Sequence, residues 1–114
     1  MGKREIVDGT KIHKGNGNVY RALGYPNADE MLGKAQLVAK ISEIIRSQEL
    51  TQVEAARILD VTQPKLSGLL RGQFREIFER KLIDCLTSLG RDVQIVVKNA
   101  PRHRTAGKLS VVFA

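Results

Sequence analysis

The chain has 114 residues, 42% of them hydrophobic but only 4% aromatic, with no Trp. That bounds a single domain whose modest core is Leu, Ile, Val and Ala, the make-up of a small helical bundle. The net charge is +7, no run of about 18 apolar residues suits a membrane span, and the lone Cys85 excludes an intrachain disulfide and any Cys-x-x-Cys metal site.

Residues 1–26 are the first of three expected regions, a flexible, Gly-rich basic arm with little periodicity. MGKREIVDGTK has no apolar segment of a signal peptide, and Ile6 stands where N-myristoylation wants Ser or Thr. A cytoplasmic protein is expected. Val19, Tyr20 and Leu23 are expected to tie the end of the arm to the core.

Residues 27–90 are the second region, a helical domain. Asn27 followed by Glu30 predicts an N-cap with its reciprocal partner. The helix from there to about residue 48 should bury Leu32, Ala35, Val38, Ile41 and Ile45. Thr51 and Glu54 form a capping box for a short helix over 52–59. Thr62 caps the next, over 63–71, which Gly72 closes. Residues 77–89 predict another amphipathic helix through Phe78, Leu82, Cys85, Leu86 and Leu89, stopped by Gly90. Cys85 falls on that stripe and reads as a small core residue.

Residues 91–114 are the third region. Here the period changes to two: Val93, Ile95 and Val97 alternate with Gln94, Val96 and Lys98, and 109–113 is similar. A C-terminal β-hairpin follows as the expectation, and one hairpin alone is marginal, so it should pack on the helices or pair with a partner chain. The strand over 92–98 is the candidate dimer contact, having an apolar face and a free edge. The charge excess sits in the two ends: residues 1–26 hold five basic and two acidic residues, and 91–114 hold five and one. Such ends suit nucleic acid and suit simple solvation equally well.

The block 52–71 holds the chemistry. Its fifth residue, Ala56, is small enough for two helices to cross closely. Its ninth, Asp60, lies in the turn, where a left-handed residue is commonly needed and Asp is tolerated. Leu59, Val61, Leu66 and Leu69 face inward. This is the pattern of a DNA-binding helix-turn-helix. At 100° per residue the leucines place Pro64, Gly68 and Arg71 on the outward face of the second helix, flanked by Lys65 and Ser67. Pro64 falls in the first turn, where its missing N–H has no intrahelical partner to lose. Gly68 in mid-helix costs about 1 kcal/mol relative to Ala, which suggests that something approaches it closely.

LTQVEAARILDVTQPKLSGLLRG resembles the Xre-type, phage-repressor-like helix-turn-helix family, in its Leu-Thr-Gln, Glu, Ala, Leu-x-Val-Thr, Ser and closing Gly. Asp60 is a departure, since Gly is usual there. The flanks GNGNVYRALGYPNADEML and FERKLIDCLTSLGRDVQIVV resemble the HigA-type antitoxin branch of that family. The resemblance implies a mainly α, lambda-repressor-like bundle of about five helices, here with the short C-terminal hairpin. It implies a homodimeric autorepressor bound to a double-stranded operator, the antitoxin that neutralises a RelE-like toxin. A stand-alone Xre-type repressor without a toxin is the alternative. Carried over to this chain, the DNA-contacting positions are Gln52, Thr62, Gln63, Lys65, Ser67 and Arg71. Pro64 and Gly68 occupy positions where relatives place hydrogen-bonding side chains, and Arg75 follows as a further phosphate contact. Arg102, His103 and Arg104 read as a solvated turn.

Gly15, Asn16 and Gly17 lack the third glycine of a dinucleotide fingerprint. His13 and His103 have no ligand partners at metal spacing, and no serine has a paired base. No catalytic residue, metal ligand or cofactor is therefore expected.

Overall fold

The computed structural model describes residues 18–114, and over them the chain forms five helices and no β-strand. They are α1 (Val19–Ala22), α2 (Ala28–Ser47), α3 (Gln52–Leu59), α4 (Gln63–Leu70) and α5 (Glu79–Ser88). Residues 1–17, and with them His13 and most of the expected arm, lie outside the described residues.

The long helix α2 is the spine. It packs against α1, α4 and α5, while α3 packs against α4 and α5. Ile41, Ile44, Leu66, Leu82 and Cys85 are fully enclosed at the centre, with Met31, Leu37, Val38, Ala55, Leu59, Leu69, Phe74 and Leu86 around them. Each large aliphatic side chain removed from water contributes about 1.5–3 kcal/mol, so this cluster supplies the main drive for folding. Cys85 is one of its members, and burial pushes its thiol up from the usual range. Val38, Ile41 and Ile45 are buried as the periodicity of α2 predicts. Leu32 and Ala35 are half-buried, on the edge of that stripe.

Residues 18–26, drawn into the arm by their composition, are folded. Asn18 caps α1 by accepting from the Arg21 N–H at 3.1 Å, and its side-chain amide donates to Asp29 Oδ1, also at 3.1 Å. The Arg21 guanidinium reaches the same carboxylate oxygen at 2.7 Å. Tyr20 packs on the core and stacks on Tyr25 at 5.7 Å between ring centroids, whereas Val19 and Leu23 stay exposed. The anchor is thus a tyrosine and a polar clasp. Asp29 is drawn into that clasp, and Asn27 precedes α2 without making a side-chain cap bond, so the expected Asn27 cap is not formed.

Two further expectations fail at the C-terminal end. Helix α5 begins at Glu79, and Phe78, expected on its buried stripe, is 77% exposed as the residue before the helix. The hairpin is absent: residues 93–97 and 109–113 share no ladder. Instead the second segment runs beside α2. Val111 Cγ2 lies 3.5 Å from where a Cβ on Gly33 would stand, and Lys40 Nζ sits 5.3 Å above the Phe113 ring. An isolated pair of strands is marginal in water, and contact with α2 competes with it successfully for Val111. Residues 92–98 are left exposed.

Candidate nucleic-acid interface

Helices α3 and α4 are set by local chemistry at both of their starts. Thr51 accepts from the Glu54 N–H at 3.1 Å, and Glu54 Oε1 accepts from the Thr51 N–H at 2.8 Å, completing the expected box. The Thr51 backbone N–H, and after it the Thr51 side chain, hold the Glu54 carboxyl below its ordinary value. Thr62 accepts from the Lys65 N–H at 3.3 Å, with Pro64 in the first turn beside it.

The turn between them rests on Asp60, which adopts φ 57° and ψ 47°. The left-handed residue required by a tight helix-turn-helix is therefore present without a glycine. The Asp60 and Val61 N–H groups close the end of α3 by donating to the Arg57 and Ala56 carbonyls, at 3.3 and 3.1 Å. Ala56 is buried at the crossing, and Leu59, Leu66 and Leu69 lock the pair onto the core.

With the leucines turned in, α4 presents a polar ridge. Thr62, Gln63, Pro64, Lys65 and Arg71 are exposed, Ser67 is half-buried, and Gln52 is exposed at the start of α3. Arg71 Nη1 donates to Ser67 Oγ at 2.8 Å, so one turn of helix holds a guanidinium and a hydroxyl together. The first-turn N–H groups of α3 and α4 add partial positive charge at the two helix starts.

Gly68 departs from the expected geometry. It is buried, and its carbonyl accepts from the Gln73 and Arg71 N–H groups at 2.9 and 3.1 Å. A Cβ at Gly68 would lie 2.8 Å from Gln73 Oε1. The absent side chain thus makes room for Gln73, which folds back over the helix from beyond Gly72, itself at φ 100°. Gln73 is the residue that sequence reasoning missed. Its only sequence signal is a helical glycine five positions earlier.

Arg75 is exposed and held at two points. Its guanidinium lies 5.3 Å from the Tyr25 ring centroid, and its carbonyl accepts from Lys34 Nζ at 3.0 Å. Lys34 is only 3% exposed, a buried ammonium whose other neighbour is Glu30 at 3.5 Å. Nothing in the periodicity marks Lys34 as buried, because its acceptor comes from 41 residues along the chain. Arg102 and His103 are exposed in a turn closed by the Arg104 N–H donating to the Pro101 carbonyl at 3.1 Å, and Arg104 is half-buried.

Among the described residues no three His, Cys, Asp or Glu side chains are grouped so that they could hold a metal ion, and no helix is long and apolar enough to cross a membrane. A family model described as a helix-turn-helix domain matches residues 19–98. The chain is also similar to a solved structure described as "Putative XRE Family Transcriptional Regulator", at 35% identity and a TM-score of 0.71, over 78% of this chain and 100% of that one. No curated protein is significantly similar to it.

Proposed function

The chain belongs to the helix-turn-helix domain family, and from that premise we propose that it is an Xre-type transcriptional regulator that acts in the cytoplasm as a homodimer on double-stranded operator DNA. The observation that carries this reading is the outward ridge of α4, with Gln63, Lys65 and Arg71 exposed over a buried leucine face. In a helix-turn-helix the outward face of the second helix is the one that meets the major groove, and polar and cationic side chains on that face support the reading. Two symmetry-related heads are needed to read a two-fold operator, hence the dimer.

In this reading Gln52 and the start of α3 hold a phosphate. Thr62 caps the recognition helix, and Gln63 bridges an adenine edge. Lys65 reaches guanine or a phosphate, as does Arg71, which Ser67 steadies. Pro64 touches a thymine methyl. Gly68 contributes through its cover, since Gln73 offers an amide where the helix itself has no side chain. Arg75, fixed by Tyr25 and Lys34, is a pre-set phosphate contact. With Pro64 and Gly68 unable to hydrogen-bond through side chains, much of the selectivity comes from DNA shape.

The finer role is that of an antitoxin, which neutralises a RelE-like toxin and represses the operon encoding both. Its support is the resemblance of the segments on either side of the helix-turn-helix to the HigA-type branch. The test is genetic. A short neighbouring reading frame is expressed alone and then with this protein, and growth arrest followed by rescue is the expected result. Without arrest or rescue, the protein is a stand-alone repressor. DNA binding is tested separately by fluorescence anisotropy on the DNA upstream of its own reading frame. No preference for that DNA over an unrelated duplex would sink the regulator reading.

A further inference from the structure

Residues 92–98 leave α5 with no partner among the described residues. The Arg91 N–H donates to the Leu86 carbonyl at 3.0 Å, and from there to residue 98 no backbone bond is made within the described chain. Val96, Ile95 and Val97 are 78%, 82% and 91% exposed. Four aliphatic side chains within five residues, on a segment whose backbone N–H and C=O groups are unpaired among the described residues, make an edge that invites pairing.

The order of residues selects the partner. When the segment Asp92-Val93-Gln94-Ile95-Val96-Val97-Lys98 is laid antiparallel on itself about Ile95, Val93 stands opposite Val97 and Asp92 opposite Lys98. Both charge pairs occur, one at each end. Val93, Ile95 and Val97 of both copies then share one face, since side chains two apart lie on the same side of a strand. Centring the pairing on Gln94 sets Asp92 against Val96 and Arg91 against Val97. Centring it on Val96 sets Lys98 against Gln94 and Asp92 against Ala100. Aliphatic pairs occur in all three registers, Val93 with Ile95 in the first alternative and Ile95 with Val97 in the second; only the register about Ile95 sets charge against charge, with Gln94 there facing Val96.

We propose that residues 92–98 pair antiparallel with the same residues of a second copy of this chain, about a two-fold axis at Ile95. The pairing supplies the two-fold on which the operator-reading dimer proposed above depends. It replaces the hairpin partner that Val111 and its neighbours withhold by packing on α2.

The inference rests on the dimeric reading, but its test needs no DNA. Ile95→Cys in the full chain places two thiols directly opposite one another. Val93→Cys leaves its two copies four residues out of register, roughly 13 Å apart at the strand rise. Under oxidised glutathione, Ile95→Cys should give a covalent dimer on a non-reducing gel and Val93→Cys should not; Cys85, 2% exposed, is shielded in both. Sedimentation should show Asp92→Lys and Lys98→Asp each weakening self-association about tenfold or more, as like charges placed directly opposite destabilise a strand pair. The double swap should restore it. All four positions are exposed or nearly so, and circular dichroism checks that each variant keeps its helices. A wild type that stays monomeric, equal cross-linking of both cysteine variants, or a dimer indifferent to the single reversals would overturn the proposal. An intact, Ile95-centred dimer that ignores DNA would overturn only the regulator reading.

Discussion

The side chain of Gln73 occupies the space that a Cβ on Gly68 would take, with Oε1 2.8 Å from that position, while its N–H donates to the Gly68 carbonyl at 2.9 Å. The glycine on the candidate recognition helix is therefore matched to a residue of its own chain. The colliding atom is the far end of an exposed, flexible side chain. Gly68→Ala is thus expected to swing Gln73 outward and to raise stability by up to about 1 kcal/mol, the helix-propensity difference. Urea denaturation measures it; a loss of that size would mean that Gln73 cannot move.

Lys34 ties α2 to the loop that presents Arg75. Lys34→Met keeps the aliphatic stem but strands the Arg75 carbonyl, and the loss of a buried, charged donor should cost about 1.5–3 kcal/mol. Chemical denaturation gives the stability. Weaker DNA binding by folded Lys34→Met than by wild type would further connect the loop to the interface.

Asp60 carries the left-handed turn without glycine. Asp60→Gly should be neutral or stabilising, and Asp60→Val should destabilise by about 1–2 kcal/mol, because a β-branched residue fits that region poorly. Equal melting temperatures for the two variants would contradict the turn geometry.

The depressed Glu54 carboxyl links the capping box to pH. Because its folded value lies below the unfolded one, its contribution is present above the ordinary carboxylate range and is lost as pH falls through the lower, folded value. Glu54→Gln, which retains the box geometry, should show a smaller drop in urea midpoint between neutral and acidic buffer than the wild type. An identical drop would assign acid sensitivity to other carboxylates.

Arg71→Ala is expected to weaken binding to all duplexes alike and to reduce the slope of log affinity against log salt by about 1, the loss of one phosphate contact. An unchanged slope would place Arg71 outside the interface.

What the sequence determined by itself is what lies within a few residues of chain. The capping box of Thr51 and Glu54, the Thr62 cap with Pro64 after it, the left-handed Asp60 and the leucine stripe of α4 all depend on neighbours one helical turn away, and all are found as read. Such features follow from hydrogen bonds and periodicities that need no distant partner. The tertiary structure decided whatever depends on a contact far along the chain. Lys34 is buried because the Arg75 carbonyl meets it, and Gly68 is covered because Gln73 returns past Gly72. Asn18 and Arg21 draw Asp29 into the α1 clasp. The alternation at 92–98 and 109–113 is legible as apolar and strand-like, but alternation does not choose a partner. Val111 finds α2, and residues 92–98 keep an open edge among the described residues, because pairing is a competition between surfaces that only the folded chain brings together.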